Sequence, residues 1–507
     1  MDSLALWAGT VIAAIAAAAA LWIPNRRRAL AALTLALLLA PILIAADNWD
    51  SQRFLDLRDS PALLSASLAV AAAIIALGVV LLLRRPRLLP LALIALLPFR
   101  IPIDLGSSTV NLLLPLYAVL AAGLIAAWLR PERVLPEPWA RRPGLIGAIG
   151  PLLGVAIALY ALQGAYADDL STAVENLCFF FLPFAALFIF VAAARWDRRL
   201  LRATVIVLAV EGLVVSLVGF GQLATGEIFW NQKLIDGNEA HPYFRVNSLF
   251  FDPNIMGRYL AVTMIAMAAV VAWGWRREVL RAGAVFVVLL AALVLTYSQT
   301  SMLALLVGLL ALGLARWGAI RAVVAAAATL VVVGLVVVGL GGGGLTAETT
   351  GRTGLVSGGL EIAADRPLSG YGSGTFADEF ERRFGGGDGI AVESHTEPVT
   401  VAAEQGAIGL LVFAAFLAVT GLGIWRAAGL GLGPARDPVA ASVLAGYAAM
   451  VVHSLGYAAL LTDPITWMLL ALAVALPGRF AIPAAAGRRT ADRAPMRRQP
   501  RAPAAAG

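Results

Sequence analysis

The sequence predicts an all-α polytopic membrane protein, with about 12–15 transmembrane helices and a large external loop containing short helices. Three observations carry this expectation. The 507 residues are 60% hydrophobic and only 14% charged, with a mean hydropathy of +0.85, whereas a soluble domain is about 25% charged. Apolar runs of about 20 residues recur along the chain, the length an α-helix rising ~1.5 Å per residue needs to cross ~30 Å of hydrocarbon. The long Ala/Leu/Val runs also lack the ~10-residue alternation of an outer-membrane barrel.

In order, the expected spans are 3–23, 29–46, 62–83, 88–103, 110–129, 144–164, 175–194, 200–222, 254–274, 279–297, 301–316, 319–340, 399–425, 438–460 and 463–479. The 88–103 stretch is short and contains Pro90 and Pro98. The connections alternate in charge. Arginine-rich segments at 26–28, 84–87, 130–142, 195–202, 276–281, 316–321, 426–436 and the tail exchange with polar or acidic ones at 47–59, 104–109, 168–171, 223–251, 298–300, the large loop and 462–463. By the positive-inside rule the first set is cytoplasmic, which puts the N-terminus outside, the C-terminus inside and the large loop outside.

The net charge of +7 is localised: from Arg479 onward there are seven arginines and one aspartate. A basic Pro/Ala-rich end reads as a disordered cytoplasmic tail near anionic lipid, and nucleic acid is not an expected partner. The one cysteine, Cys178, lies in an apolar run and excludes an intrachain disulfide or a thiolate metal cluster. The first apolar segment has no basic stretch before it and is expected to be a retained helix. There is no phosphate-binding loop and no Gly-x-Ser-x-Gly elbow, so ATP-driven and α/β-hydrolase chemistry is disfavoured.

Between residues 341 and 400 the chain carries nine acidic residues, four arginines and one histidine. Polar groups cannot be left unsatisfied in hydrocarbon, so chemistry is expected here. Residues 352–365 suggest a short amphipathic helix, and 367–374 are turn material. Phe376, Phe380 and Phe384 recur every four residues on one helical face, suited to packing and also to covering a prenyl chain. His395, beside Glu393 and Glu397, is the side chain best suited to proton transfer near neutral pH; capping the next helix is its other reading. Glu404 and Gly406 follow near the start of that helix. Arg245 precedes a membrane helix and can fork onto a phosphate or snorkel to lipid headgroups. Asp252-Pro253-Asn254 has the form of a helix N-cap. Asp47, Asp50, Asp168 and Asp169 are solvated loop acids or weak metal candidates. His453, next to Ser454 in an apolar span, is expected to be buried and hydrogen-bonded. Charges within spans are few, chiefly Glu211.

Taken together, these segments resemble the O-antigen ligase and polymerase superfamily of bacterial membrane glycosyltransferases. The resemblance rests on RVNSLFFDPN (245–254), TYSQTSMLA (296–304), the arginine-led loop 352–376 with its Pro-Leu-x-Gly-x-Gly-x-x-x-Phe, and 395–410 with its histidine and Glu-x-Gly-x-x-Gly-Leu. It covers roughly 245–425; the N-terminal half matches only as apolar helices. It implies transfer of a glycan from a polyprenyl-diphosphate carrier to an acceptor hydroxyl of a glycan or lipid-linked acceptor. The reaction would be inverting and would need no cofactor, metal or nucleotide sugar. It would run on the outer side of a bacterial cytoplasmic membrane, with membrane lipid as the other partner. By position, His395 would be the base or acceptor-orienting group, and Arg245, Arg352, Arg258 and Gln299 would form the diphosphate and donor site. Glu393, Glu397, Glu404, Asp252 and Asn254 would support them.

Two positions depart from the family pattern. Gln299 stands where an arginine is usual, and Thr396 where an asparagine usually follows the loop histidine. Arg258 or Arg366 would be placed to supply the missing charge. A polymerase of the same superfamily or a lipid-linked glycan transporter is the alternative. The expected layout is 1–244 (N-terminal membrane helices), 245–340 (helices of the ligase-like core), 341–398 (external loop), 399–480 (C-terminal helices) and 481–507 (basic tail).

Overall fold

Aspartate and asparagine side chains set where many of the helices begin. Asn25, Asp197, Asp252, Asp437 and Asp463 each accept a hydrogen bond from a backbone N–H of the turn they precede. Three of these are followed by proline, which has no N–H to leave unpaired. The apolar runs behind these caps then propagate as helix. The computed structural model describes residues 3–480 except 52–54, 56–58, 105–108, 141, 230, 241–242, 318–346, 386–393, 431–434 and 436.

The helices are α1 (Ser3–Trp22), α2 (Arg26–Asp47), α3 (Pro61–Arg84), α4 (Leu88–Ala95), α5 (Leu114–Leu129), α6 (Leu145–Tyr166), α7 (Ser171–Ala192), α8 (Arg198–Thr225), α9 (Gln232–Ala240), α10 (Pro253–Trp273), α11 (Arg276–Leu295), α12 (Gln299–Trp317), α13 (Ala347–Asp365), α14 (Phe376–Phe384), α15 (Glu397–Ala428), α16 (Pro438–Ser454) and α17 (Pro464–Ala475). Ten of the described helices are long and apolar enough to cross a membrane, and α5, α16 and α17 are shorter apolar helices. The protein is therefore all-α and polytopic, apart from one antiparallel hairpin, β1 (Ile101–Asp104) with β2 (Thr109–Leu112). The expected span at 319–340 and the basic tail lie outside the described residues.

The second half of α7, Leu182–Ala192, and the whole of α17 are buried on every side, as central helices of a bundle are. Phe184 and Trp467 meet there edge to face at 6.2 Å. Around this pair, α1 packs on α2 and α6, while α10 packs on α11, α12 and α16. Helix α15 touches both groups through α6 and α16. At the periphery, α3 leaves Leu68, Ile74 and Leu77 exposed, as lipid-facing residues are.

The expected helical span 88–103 is not a continuous helix, a correction to the sequence reading. Helix α4 has eight residues and stops at Ala95, before Pro98. The segment still runs between opposite ends of the bundle. Arg87 reaches Asp197 at 3.3 Å on the arginine-rich side, and Arg100 reaches Asp463 at 2.7 Å on the other. Eight helical residues supply about 12 Å, and five in turn or extended form add at most ~16 Å, together close to a bilayer core. Proline and the buried ion pair account for the difference.

The loop between α12 and α15 docks through a break in α15. Gly406 has φ 61° and ψ −161° inside that helix, which leaves backbone groups unpaired on both sides of it. The turn after α13 takes them up. Tyr371 N–H donates to Ala403 O (3.1 Å), Gly372 N–H to Glu404 O (2.8 Å), and Ala407 N–H to Pro367 O (2.8 Å). Gly370, at φ 67°, lies so close that a Cβ there would sit 2.3 Å from the Glu404 carbonyl. The phenylalanine stripe of α14 packs inward at its first two positions, while Phe384 is exposed: Phe376 is buried with Ile362 of α13 and Ala403 of α15, and stacks on Phe380 at 5.9 Å.

Gly406→Ala would place a Cβ 2.4 Å from the Leu368 carbonyl group in a backbone region that is essentially restricted to glycine and costs other residues about 1–3 kcal/mol. The expected result is an undocked loop, read as faster proteolysis between 366 and 384 and a lower melting temperature. Unchanged proteolysis would contradict this account of docking.

Candidate functional site

Three non-glycine residues have positive φ among the described residues: Ser248 (52°), Tyr297 (51°) and His395 (59°). Such strain costs about 1–3 kcal/mol and persists only where its surroundings over-determine it. Each of the three is held by neighbours. Ser248 donates its N–H to Gln222 Oε1 (2.7 Å) and its hydroxyl to Val215 O (2.8 Å), and Gln222 Nε2 returns to Asn247 Oδ1 (3.0 Å). The Tyr297 ring lies 4.7 Å from that of Tyr243. His395 is bracketed by the buried Ser394, whose hydroxyl donates to Thr396 O (2.7 Å) and accepts from Thr396 N–H (3.1 Å).

His395 lies beside Tyr457, in the connection between α16 and α17, and the other two segments reach this point through a chain of side chains from Asn254 to His453. The ring of Tyr457 lies 6.4 Å from His395 and 5.9 Å from His453, and the Arg258 guanidinium sits 5.6 Å from its centroid. His453 is buried and hydrogen-bonded, as expected, with Nε2 at 3.1 Å from Ser301 Oγ. Ser301 in turn meets Ser298 Oγ (2.8 Å), which donates to Asn254 Oδ1 (2.7 Å). Thr396 Oγ1 donates to Leu455 O (3.1 Å), and Glu397 Oε2 accepts from Leu460 N–H (3.0 Å). The end of α16 and the 455–463 connection thus join the start of α12, through His453, to the start of α15, through Leu455 and Leu460.

Beneath it lies a buried ion cluster. Asp463 Oδ1 caps α17 through Ile465 N–H at 2.8 Å, while Oδ2 takes Arg258 at 2.5 Å and Arg100 at 2.7 Å. The three side chains are 0–7% exposed. Arg258 Nη1 also donates to Ala459 O (3.4 Å), and so holds the Tyr457 connection in place.

Arg245 is half-buried on the other side of the same turn. Its Nε donates to Thr296 O at 3.1 Å, and its backbone exchanges two hydrogen bonds with the Asn238 side chain of α9 (2.9 and 3.0 Å). Gln299 is half-buried as the first residue of α12. Asp252 caps α10 by accepting from Asn254 N–H at 2.6 Å. Glu404, nearly buried, accepts from Phe376 N–H at 3.2 Å and so anchors the start of α14. Arg366 is exposed and stacks on Tyr371 at 4.2 Å. The Arg352 side chain, Glu393 and His241 lie outside the described residues.

A cavity of about 210 Å³ opens beside Glu397, lined also by Thr400, Glu404, Gln405, Asn176 and Phe413. The loop acids Asp47, Asp168 and Asp169 do not line it and are engaged with neighbours: Asp47 accepts from Ser171 Oγ (2.7 Å), Asp168 pairs with Arg382 (2.9 Å), and Asp169 accepts from Ser171 N–H (2.8 Å). Asp378 on α14 has its carboxyl pushed above the usual range, first by burial and then by Asp169.

Sequence reasoning missed Tyr457, Asp463 and Arg100. Asp463-Pro464 repeats the Asp-Pro form of Asp252-Pro253, and Arg100 is a charge inside an apolar stretch. Both signals were present, and only their pairing across the chain was not.

The fold and the cluster define a multi-pass membrane protein with a polar site at one end of its helices. Residues 284–414, about a quarter of the chain, match the family described as O-antigen ligase. This supports membership of the O-antigen ligase superfamily, a glycosyltransferase-like enzyme family. The matched stretch includes the Thr296–Ser301 turn, the docked loop and His395. No curated protein matches the chain.

Asp463→Asn would leave two buried guanidiniums without a full counter-charge, and a loss of about 3–5 kcal/mol is expected for breaking such a cluster. Thermal unfolding in detergent checks this. Adding Arg100→Gln to Asp463→Asn should cost less than the sum of the two single changes, because the residues share one interaction.

Proposed function

We propose that the protein is an O-antigen ligase-like glycosyltransferase, moving a glycan from a polyprenyl-diphosphate carrier to an acceptor hydroxyl. It would act on the outer side of a bacterial cytoplasmic membrane, with the N-terminus outside and the C-terminus inside. The observation that carries this reading is the coincidence of strain with motif. Ser248, Tyr297 and His395 each fall in one of the segments on which the family resemblance rests. Strain of this kind concentrates at functional sites.

In the proposed reaction His395 accepts the proton of the acceptor hydroxyl as its oxygen attacks the anomeric carbon. The bond from that carbon to the diphosphate oxygen breaks, and the electron pair leaves with the polyprenyl diphosphate. Attack opposite the leaving group inverts the anomeric centre. The leaving group is already a stabilised anion, so fixed positive charge supplies much of the catalysis. Arg245 is the candidate to hold it, with Arg352 assisting from the loop. Gln299 offers its amide in place of the usual guanidinium, and Arg258 acts by holding the Tyr457 connection. Asn254 and Asp252 fix the start of α10, while Glu397 and Glu404 hold the start of α15 against the connection and the loop. The identity of the acceptor separates ligase from polymerase within this reading.

In membranes containing equal amounts of protein, His395→Ala should lower transfer of labelled glycan from a polyprenyl-diphosphate donor by about 10²–10⁴-fold, the usual contribution of general base catalysis. Arg245→Ala should cost about 10²–10³-fold, as expected for one charged contact to the leaving group. A chelator should have no effect. Full activity in both variants would remove these residues from the site.

A further inference from the structure

At the arginine-rich end of the molecule, opposite the Tyr457 cluster, two apolar grooves meet. One, of about 300 Å³, runs from α8 and α10 to α16 and α17; the other, of about 370 Å³, runs between α8, α10 and α11. Both are lined by Leu201, Val205, Val270 and Glu278, so they share one mouth. Arg198, Arg202 and Arg281 line the second groove and are exposed. Glu278 offsets part of this charge, standing 3.7 Å from Arg202. Trp275, 83% exposed, begins the adjacent helix before Arg276 and Arg277, and tryptophan is enriched at the level of lipid headgroups.

We infer that this mouth binds a two-tailed anionic phospholipid, with its phosphate against Arg198, Arg202 and Arg281 and one acyl chain in each groove. Three observations point to that occupant. The paired grooves fit two chains leaving one headgroup. Three cations face one carboxylate, which favours an anion, and basic pockets between membrane helices on the arginine-rich side suit anionic headgroups. The Thr204 hydroxyl, 4% exposed and without a hydrogen-bond partner among the described residues, lines the first groove and can donate to a glycerol ester.

The position gives the lipid a role separate from the proposed reaction. Helix α10 has 21 residues and so spans about 30 Å, with Asn254 at the cluster and Trp273 at the groove. A lipid here would wedge between α8 and α10 on one side and α16 and α17 on the other. These are the helices whose far ends carry Arg258 and Asp463.

The test uses the full chain purified in neutral detergent, with dioleoylphosphatidylglycerol, dioleoylphosphatidylcholine and a polyprenyl phosphate as separate probes. Binding is read by native mass spectrometry and by the thermal midpoint. Phosphatidylglycerol should be retained and should raise the midpoint, whereas phosphatidylcholine, with the same chains, should not. The combined Arg198→Gln, Arg202→Gln and Arg281→Gln variant should weaken phosphatidylglycerol binding by about tenfold or more. Ala209→Trp, which fills one groove without changing charge, should weaken it as well. It decides the question alone if the arginine variant does not fold. Equal retention of the two phospholipids, preference for the polyprenyl phosphate, or no effect of Ala209→Trp would each overturn the assignment.

Discussion

The break in α15 at Gly406 is the constraint on which the rest of the site depends. A helix interrupted inside a membrane protein exposes N–H and C=O groups that water does not reach, and each must find a partner. Here the partner is the Pro367–Gly372 turn of the large loop. That exchange turns a polar excursion into a fixed part of the protein. It also couples the loop to the bundle interior, because Gln163 of α6 donates to Gln405 O (3.1 Å) and Tyr166 to Ser369 O (2.7 Å). Helix α15 begins two residues after His395, so whatever holds its first turns also holds the histidine.

The second constraint is electrostatic. Asp463 is the common partner of Arg100, from the N-terminal half, and Arg258, from the helix that follows Asp252. A buried carboxylate with two guanidiniums and a helix end to satisfy can occupy few positions, so it fixes where three distant parts of the chain meet. Buried ion pairs of this kind add little net stability over apolar packing but are costly to break. Their contribution here is placement: the Tyr457 connection, held by Ala459 O on Arg258, lies directly above them.

Most of the fold was legible in the sequence because bilayer thickness dictates helix length, and an apolar run of the right length leaves little choice. The Asp252-Pro253 helix start and the inward packing of Phe376 and Phe380 were readable for the same local reason. The short α4 was not, since hydropathy registers apolar content and not whether the backbone stays helical; Pro98 and Arg100 were the local signs. The hydrogen-bonded burial of His453 was legible, while its partner Ser301 was not. Contacts between residues about 150 apart leave no local pattern. The docking of Pro367–Gly372 onto Gly406 was equally hidden, although both glycine-containing motifs stood out as text.

Gln299 is where the chemistry must differ most from the family pattern, and the geometry bears on how much is lost. The residue opens α12, so its turn keeps the field of a helix N-terminus, equivalent to roughly +0.5 elementary charge. Arg245 is fixed to the same turn through Thr296 O. Ser298 and Ser301 are occupied with Asn254 and His453, and the Ser301 and Met302 N–H groups with Ser298, which leaves the Gln299 amide as the side-chain donor suited to an anion there. Under the proposed reaction the diphosphate would be met at this turn by the Arg245 guanidinium, a helix end and a neutral amide, with Arg352 assisting from the loop. A neutral donor gives weaker stabilisation than a charge-assisted one by roughly a factor of two. Under that reaction the substitution would weaken the anion site without dismantling it, and would shift the burden of charge onto Arg245 and Arg352.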